Sequence, residues 1–314
     1  MLKLVILIIY FAVLIGIGLY CRKHATDVNG FVLGGRSVGP WLTAFAYGTS
    51  YFSAVVFVGY AGQFGWKYGI AATWAGIGNA IIGSLLAWVV LGRRTRIMSQ
   101  HLDSATMPQY FGKRFGSNPL KIGASVIIFI FLIPYTASLY NGLSRLFGMA
   151  FNIDYSVCII IMATLTAIYV IAGGYMATAI NDFIQGIIML FGIVAVIAAV
   201  IHSKGGFMSA LQGLANVSDP AVSKTPGIFA SFFGPDPFNL LCVVILTSLG
   251  TWGLPQMVQK FYAIDNEASI QKGTVISTIF ALIVSGGCYF LGGFGRLFSD
   301  QIDVKLSLIH ISEP

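Results

Sequence analysis

Eight stretches of this 314-residue chain, at 2–20, 39–62, 70–91, 122–147, 155–172, 182–201, 238–255 and 274–294, are apolar over most of a bilayer's depth. A membrane helix needs about 20 such residues, and inside a bilayer a lone segment can satisfy its own backbone only as a helix. That constraint leaves an all-α, polytopic membrane protein. The overall balance agrees: 57% of residues are hydrophobic and 9% are charged, against roughly a quarter charged in soluble proteins. Lipid bilayer is therefore an expected partner. The net charge of +7 is spread among the loops and reports topology, not a nucleic-acid surface.

Stretch 39–62 breaks the rule it otherwise follows. Its middle reads Gly48-Thr49-Ser50-Tyr51-Phe52-Ser53. Glycine weakens a helix interior, and Ser and Thr offer its backbone competing hydrogen bonds. An interruption at membrane depth frees carbonyls to hold a cation or a polar solute; the alternative is small residues serving close helix packing. A second interruption is expected at Thr247 to Pro255, where Gly250, Gly253 and Pro255 fall within a turn and a half. With the first span set aside, the broken helices are the first and sixth of the remainder. Those positions correspond in a five-plus-five inverted repeat, the sequence pointer to a transporter site.

Of eleven acidic residues, Asp182 is the one placed at or inside the membrane. It reads either as an N-cap of the sixth span, with Asn181, or as a carboxylate on an ion path. Cys21, Cys158, Cys242 and Cys288 and the four scattered histidines have no metal-ligand spacing, so no zinc site and no disulfide framework is expected. No Ser-His-Asp, metal or phosphate-loop arrangement supports an enzyme.

Lys and Arg set the orientation. With the N-terminus outside, 11 of the 18 fall in inner loops, most of them from Arg93 to Lys121, and segment 202–236 lies outside. The expected location is the inner or plasma membrane.

Four motifs in order, Leu33-Gly34-Gly35-Arg36-Ser37, Thr106-Met107-Pro108-Gln109-Tyr110-Phe111 with Arg114-Phe115-Gly116, Gly173-Gly174 to Asn181-Asp182 and Gln185-Gly186, and Gly253-Leu254-Pro255 with Lys260-Phe261, resemble the sodium/solute symporter family. The resemblance implies a LeuT-type inverted-repeat core behind one extra helix, working by alternating access, with sodium as coupling ion and no cofactor. It implies sodium held by backbone carbonyls of Thr49 and Phe52, with Asp182 near its route, and a small-molecule solute met by Tyr51, Ser53, Asn79 and Thr251. Asn79 has an alternative reading as a packing residue. Proline carriers of the family have an acid where Tyr51 stands and aromatic residues where Thr247 and Thr251 stand. The chain looks closer to the pantothenate-like branch, so a small organic anion is the first expectation, with an amino acid or sugar behind it. A sensory input domain of a histidine kinase and a passive channel are the other classes.

The last nine residues, Leu306 to Pro314, match a translated transposon-end sequencing adapter. They are expected to be artefactual, with 1–305 a partial symporter domain. The resemblance places further hydroxyl ligands for sodium beyond Lys305, so 1–305 alone is expected not to transport.

Overall fold

The computed structural model describes residues 2–53, 55–151 and 153–301; the adapter-like tail lies outside them. Helix α1 (Leu2–Cys21) is followed by a short α2 (Val28–Leu33), capped by the Asp27 carboxylate on the Gly30 N–H, and by α3 (Pro40–Tyr51). After a break come α4 (Ala61–Tyr68), α5 (Thr73–Gly78) and α6 (Arg93–His101); between the last two the helix continues, mostly with wide π-type turns from Asn79 to Gly92. Then follow α7 (Met107–Phe115), α8 (Asn118–Phe151), α9 (Tyr155–Ser203), α10 (Phe207–Ala215), α11 (Pro237–Leu249), α12 (Pro255–Ala263) and α13 (Glu267–Gly293).

Among the described residues four helical runs are long and apolar enough to cross a membrane, Ala61–His101, Asn118–Gly148, Tyr155–Ser203 and Glu267–Gly293, with shorter apolar helices at Val5–Cys21 and Pro237–Leu249. The eight expected stretches map onto fewer unbroken helices because two are split and two are joined. At 49 residues α9 would be about 74 Å long if straight, more than twice the hydrocarbon core. It is not straight: Gly174 has φ 56° and ψ −149°, and the chain turns there. The expected fifth and sixth spans are the two arms of this corner.

The core lies where α3, the π-type run from Asn79 to Gly92, α12 and α13 meet. Tyr47, Trp88, Phe261 and Phe280 are all buried in it, with Trp88 set edge-on to Phe261 at 5.1 Å between ring centroids. In lipid these rings gain no transfer energy by leaving one apolar medium for another, so close packing and aromatic geometry hold the cluster. Packing is closest along α13. A Cβ on Gly65 or Gly292 would overlap the opposing backbone, and one on Gly76 would stand 2.6 Å from the Gly286 Cα. The backbones of α4 and α5 thus lie directly on α13.

Each end of the bundle is closed by arginine. At one end Val38 pairs with Ile264: the Val38 N–H donates to the Ala263 carbonyl at 3.3 Å and the Asp265 N–H to Val38 at 3.1 Å. The Arg36 guanidinium donates to the carbonyls of Tyr262 (3.3 Å), Ser99 (3.3 Å) and Ser104 (2.8 Å), and Arg96 to that of Asp265 at 2.9 Å. Cations here satisfy carbonyls left over at helix C-termini. At the other end Arg296 pairs with Asp219 at 3.0 Å and lies 3.8 Å from the Phe229 ring centroid, while Trp74 donates to the Phe232 carbonyl at 3.0 Å. Segment 202–236 is thereby folded down over α4 and the end of α13.

Candidate functional site

Both expected interruptions are present, and they lie side by side. Helix α3 runs through Gly48, Thr49 and Ser50 as regular helix and stops after Tyr51. The expectation of a break starting at Gly48 is corrected. Gly48 is there for packing, since a Cβ would overlap the Phe280 ring. Phe52 leaves the helical region (φ −96°, ψ 65°), its N–H closing on the Gly48 carbonyl at 2.9 Å. The carbonyls of Thr49 and Phe52 therefore stand at and just past a helix C-terminus, whose partial negative charge favours a cation. The second break runs from Gly250 to Leu254, between α11 and α12. The N-terminus of α12, the end that favours an anion, belongs to the same buried cluster as Tyr51 and Phe52, with Trp252, Leu254 and Met257 packed there.

Tyr51 joins the two breaks. Its hydroxyl donates to the Thr247 carbonyl at 2.9 Å and lies 3.1 Å from Asn79 Oδ1. Asn79 is buried and its amide is used on both sides: Oδ1 accepts from Ser248 Oγ at 3.1 Å, and Nδ2 donates to Ser285 Oγ at 3.2 Å. One network of neutral polar groups thus ties α3, α11, α13 and the helical run after α5. Thr251 adjoins it, donating to the Ser248 carbonyl at 3.0 Å, and Trp252 donates to the Ile82 carbonyl at 3.0 Å. Tyr51 stacks on Phe52 at 4.4 Å. The structure thus brings together Tyr51, Asn79 and Thr251. Ser53 lies half-buried in the break itself, where its carbonyl accepts from the Val56 N–H at 3.0 Å.

Asp182 is not an N-cap. Its helical arm begins just after the Gly174 corner, so the residue sits about two turns inside it. Its carboxylate faces Thr49 and pairs with Lys260 of α12, Nζ to Oδ2 3.6 Å, with the lysine side chain 8% and the aspartate 22% exposed. Lys260, read from the sequence as an inner-loop charge, is a buried partner of the site. Thr49 and Asp182 are brought together between α3 and α9, while Tyr51 meets Asn79 and Thr247 between α3, α11 and the run after α5.

Sequence reasoning missed Lys260, Ser248 and Ser285. A signal for Ser285 existed: Ser277 and Ser285 are eight residues apart on one face of α13, and both meet polar groups of the run after α5, Ser277 Oγ lying 2.8 Å from Ser84 Oγ.

Set against known proteins, residues 31–301 match the description "Sodium:solute symporter family". Proteins named sodium/proline symporter from Staphylococcus aureus strains JH9 and JH1 are 30% identical over 312 residues, covering 96% of this chain and 58% of theirs. The chain thus spans a little over half the length of these relatives. A solved structure of a sodium-coupled sialic acid symporter, in a substrate-bound outward-open state, superposes with a TM-score of 0.74 at 16% identity, covering 96% of this chain and 62% of that one. At that identity the likeness concerns the fold, and the fold is that of a polytopic membrane transporter. With the family description matching most of its length, the chain belongs to the sodium:solute symporter family.

Proposed function

We propose that the protein carries a small organic solute across the cell membrane together with sodium, by alternating access. The observation that supports this most directly is the Tyr51 hydroxyl reaching from one broken helix to the Thr247 carbonyl at the end of the other. A solute seated there touches both breaks at once, and the carbonyls of Thr49 and Phe52 stand next to it for the ion. Asp182 lies on the sodium route, and Tyr51, Asn79, Thr251 and Ser53 face the solute.

The solute class proposed is a carboxylate of pantothenate-like kind. Among the described residues the polar groups around Tyr51 are hydroxyls, a carbonyl and an amide, with no acid to repel an anion, and the N-terminus of α12 supplies positive potential without an arginine at the site. Proline is the second reading, favoured by the names of the Staphylococcus aureus relatives. The N-terminus lies outside the cell.

The test is uptake of labelled pantothenate, proline and sugars by the full-length protein in proteoliposomes under an inward sodium gradient. Pantothenate accumulation that collapses with the gradient is the expected result. Proline accumulation without pantothenate establishes the second reading. Flux independent of sodium overturns symport and favours a channel or a sensor.

A further inference from the structure

We infer that Lys260 is a tethered cation that occupies the Asp182 carboxylate until sodium displaces it. This rests on the reading of Asp182 as part of the sodium route and adds the group that competes there. The pair is loose. At 3.6 Å its separation exceeds the roughly 2.7–2.9 Å of a charge-assisted hydrogen bond, so the ammonium is close enough to neutralise Asp182 without being locked to it. A second seat lies within reach, because Nζ also stands 5.0 Å from the ring centroid of Tyr175, a distance at which an aromatic face attracts a cation.

The surroundings have hydrogen-bonding capacity to spare. Gln256, one turn before Lys260 on the same face of α12, has both amide atoms buried without a hydrogen-bond partner among the described residues. The same holds for Asn181, next to Asp182 and 1% exposed. A chamber with unmet donors and acceptors can hold an ammonium in more than one place. Stability alone gives little reason for the pair, because a buried ion pair seldom stabilises more than apolar residues of the same volume.

Competition follows from charge. Asp182 carries one negative charge, which the ammonium and a sodium ion each neutralise; both together leave the chamber with a surplus positive charge that burial disfavours. Sodium arriving past Thr49 therefore pushes Lys260 toward Tyr175. Because Lys260 is on α12 and Asp182 on α9, the exchange also unties α12 from α9, and sodium binding becomes a mechanical event.

The test is the sodium dependence of solute uptake by full-length Lys260→Met in proteoliposomes. Removing the competitor is expected to lower the sodium concentration at half-saturation about tenfold, the size of effect a neighbouring like charge has on a bound charge. Lys260→Arg, which keeps the charge, is expected to stay near the unmodified protein. In an Asp182→Asn background Lys260→Met is expected to change nothing. A residue with a merely structural role would lower abundance without tightening sodium binding. Half-saturation that is unchanged or raised in Lys260→Met overturns the inference while leaving symport intact, whereas absence of sodium dependence in the unmodified protein overturns the symport reading itself. Should Lys260→Met fail to fold, the unmodified protein still decides. The Lys260 ε-ammonium signal in magnetic resonance of the full-length protein labelled with 15N-lysine is expected to shift on adding sodium and not on adding potassium, and a signal indifferent to sodium overturns the inference.

Discussion

The position of Tyr51 is set by a side chain that is missing. A Cβ on Gly83 would overlap the Tyr51 hydroxyl, and the Gly83 carbonyl accepts from Tyr47 at 2.9 Å, so both tyrosines rest on this one residue. Gly83→Ala is expected to force the Tyr51 ring out of its network, at about the 1–3 kcal/mol that overpacking costs. Its signature is a rise of roughly tenfold or more in the solute concentration at half-saturated uptake, that rise in energy being about 1.4 kcal/mol, with the sodium dependence little changed. Equal losses in both would argue against a local effect. Tyr51 and Asn79 enter the sequence reading through the family resemblance, and the structure joins them in one hydrogen-bond network. Gly83 is not legible in the sequence, because nothing in the local sequence says that a hydroxyl 32 positions earlier needs its space. Lys260 escapes for a related reason: its proximity to Asp182 depends on how α12 is rotated after the second break, which hydropathy does not encode.

At the level of helices, the two interruptions can be read from Gly, Ser, Thr and Pro in apolar stretches, but the corner in α9 cannot. Gly173-Gly174 belongs to a recognised motif, yet the polar run ending at Asp182 has the composition of a helix start. In the structure that run is already helical, and its polar groups are buried against other helices. The corner itself depends on Gly174, whose φ of 56° and ψ of −149° suit glycine and essentially no other residue, and whose Cβ would stand 2.8 Å from the Phe31 carbonyl. Gly174→Ala is expected to cost about 2 kcal/mol. Gly192 in the same helix has open space around its Cβ position, so Gly192→Ala is expected to be neutral or stabilising by up to about 1 kcal/mol. Thermal unfolding of the two purified variants in detergent checks both signs, and equal melting temperatures would refute the account of the corner.

Across the whole molecule, the arginine-closed ends carry the topology. The end holding Arg36 and Arg96 is expected to face the cytoplasm, and the end holding Arg296 and Asp219 the outside. On a background without native cysteines, an impermeant thiol reagent applied to cells should label Ser218→Cys and spare Asn118→Cys, both of which are exposed positions; the reverse pattern would invert the protein. The glycine seam bears on what happens between those ends. Beyond the first break, α4 and α5 meet α13 backbone to backbone at Gly65 with Gly292 and at Gly76 with Gly286, with Phe64 stacked on Tyr289 beside that contact. Before the break, α3 touches α13 through rings that can turn, Phe45 and Phe52 against Phe280, and is strapped to α12 by the Val38–Ile264 pairing. In the proposed transport cycle the break is expected to act as a hinge with one leaf screwed to its frame, the swinging leaf being the one on the Arg36 side and carrying α12 along.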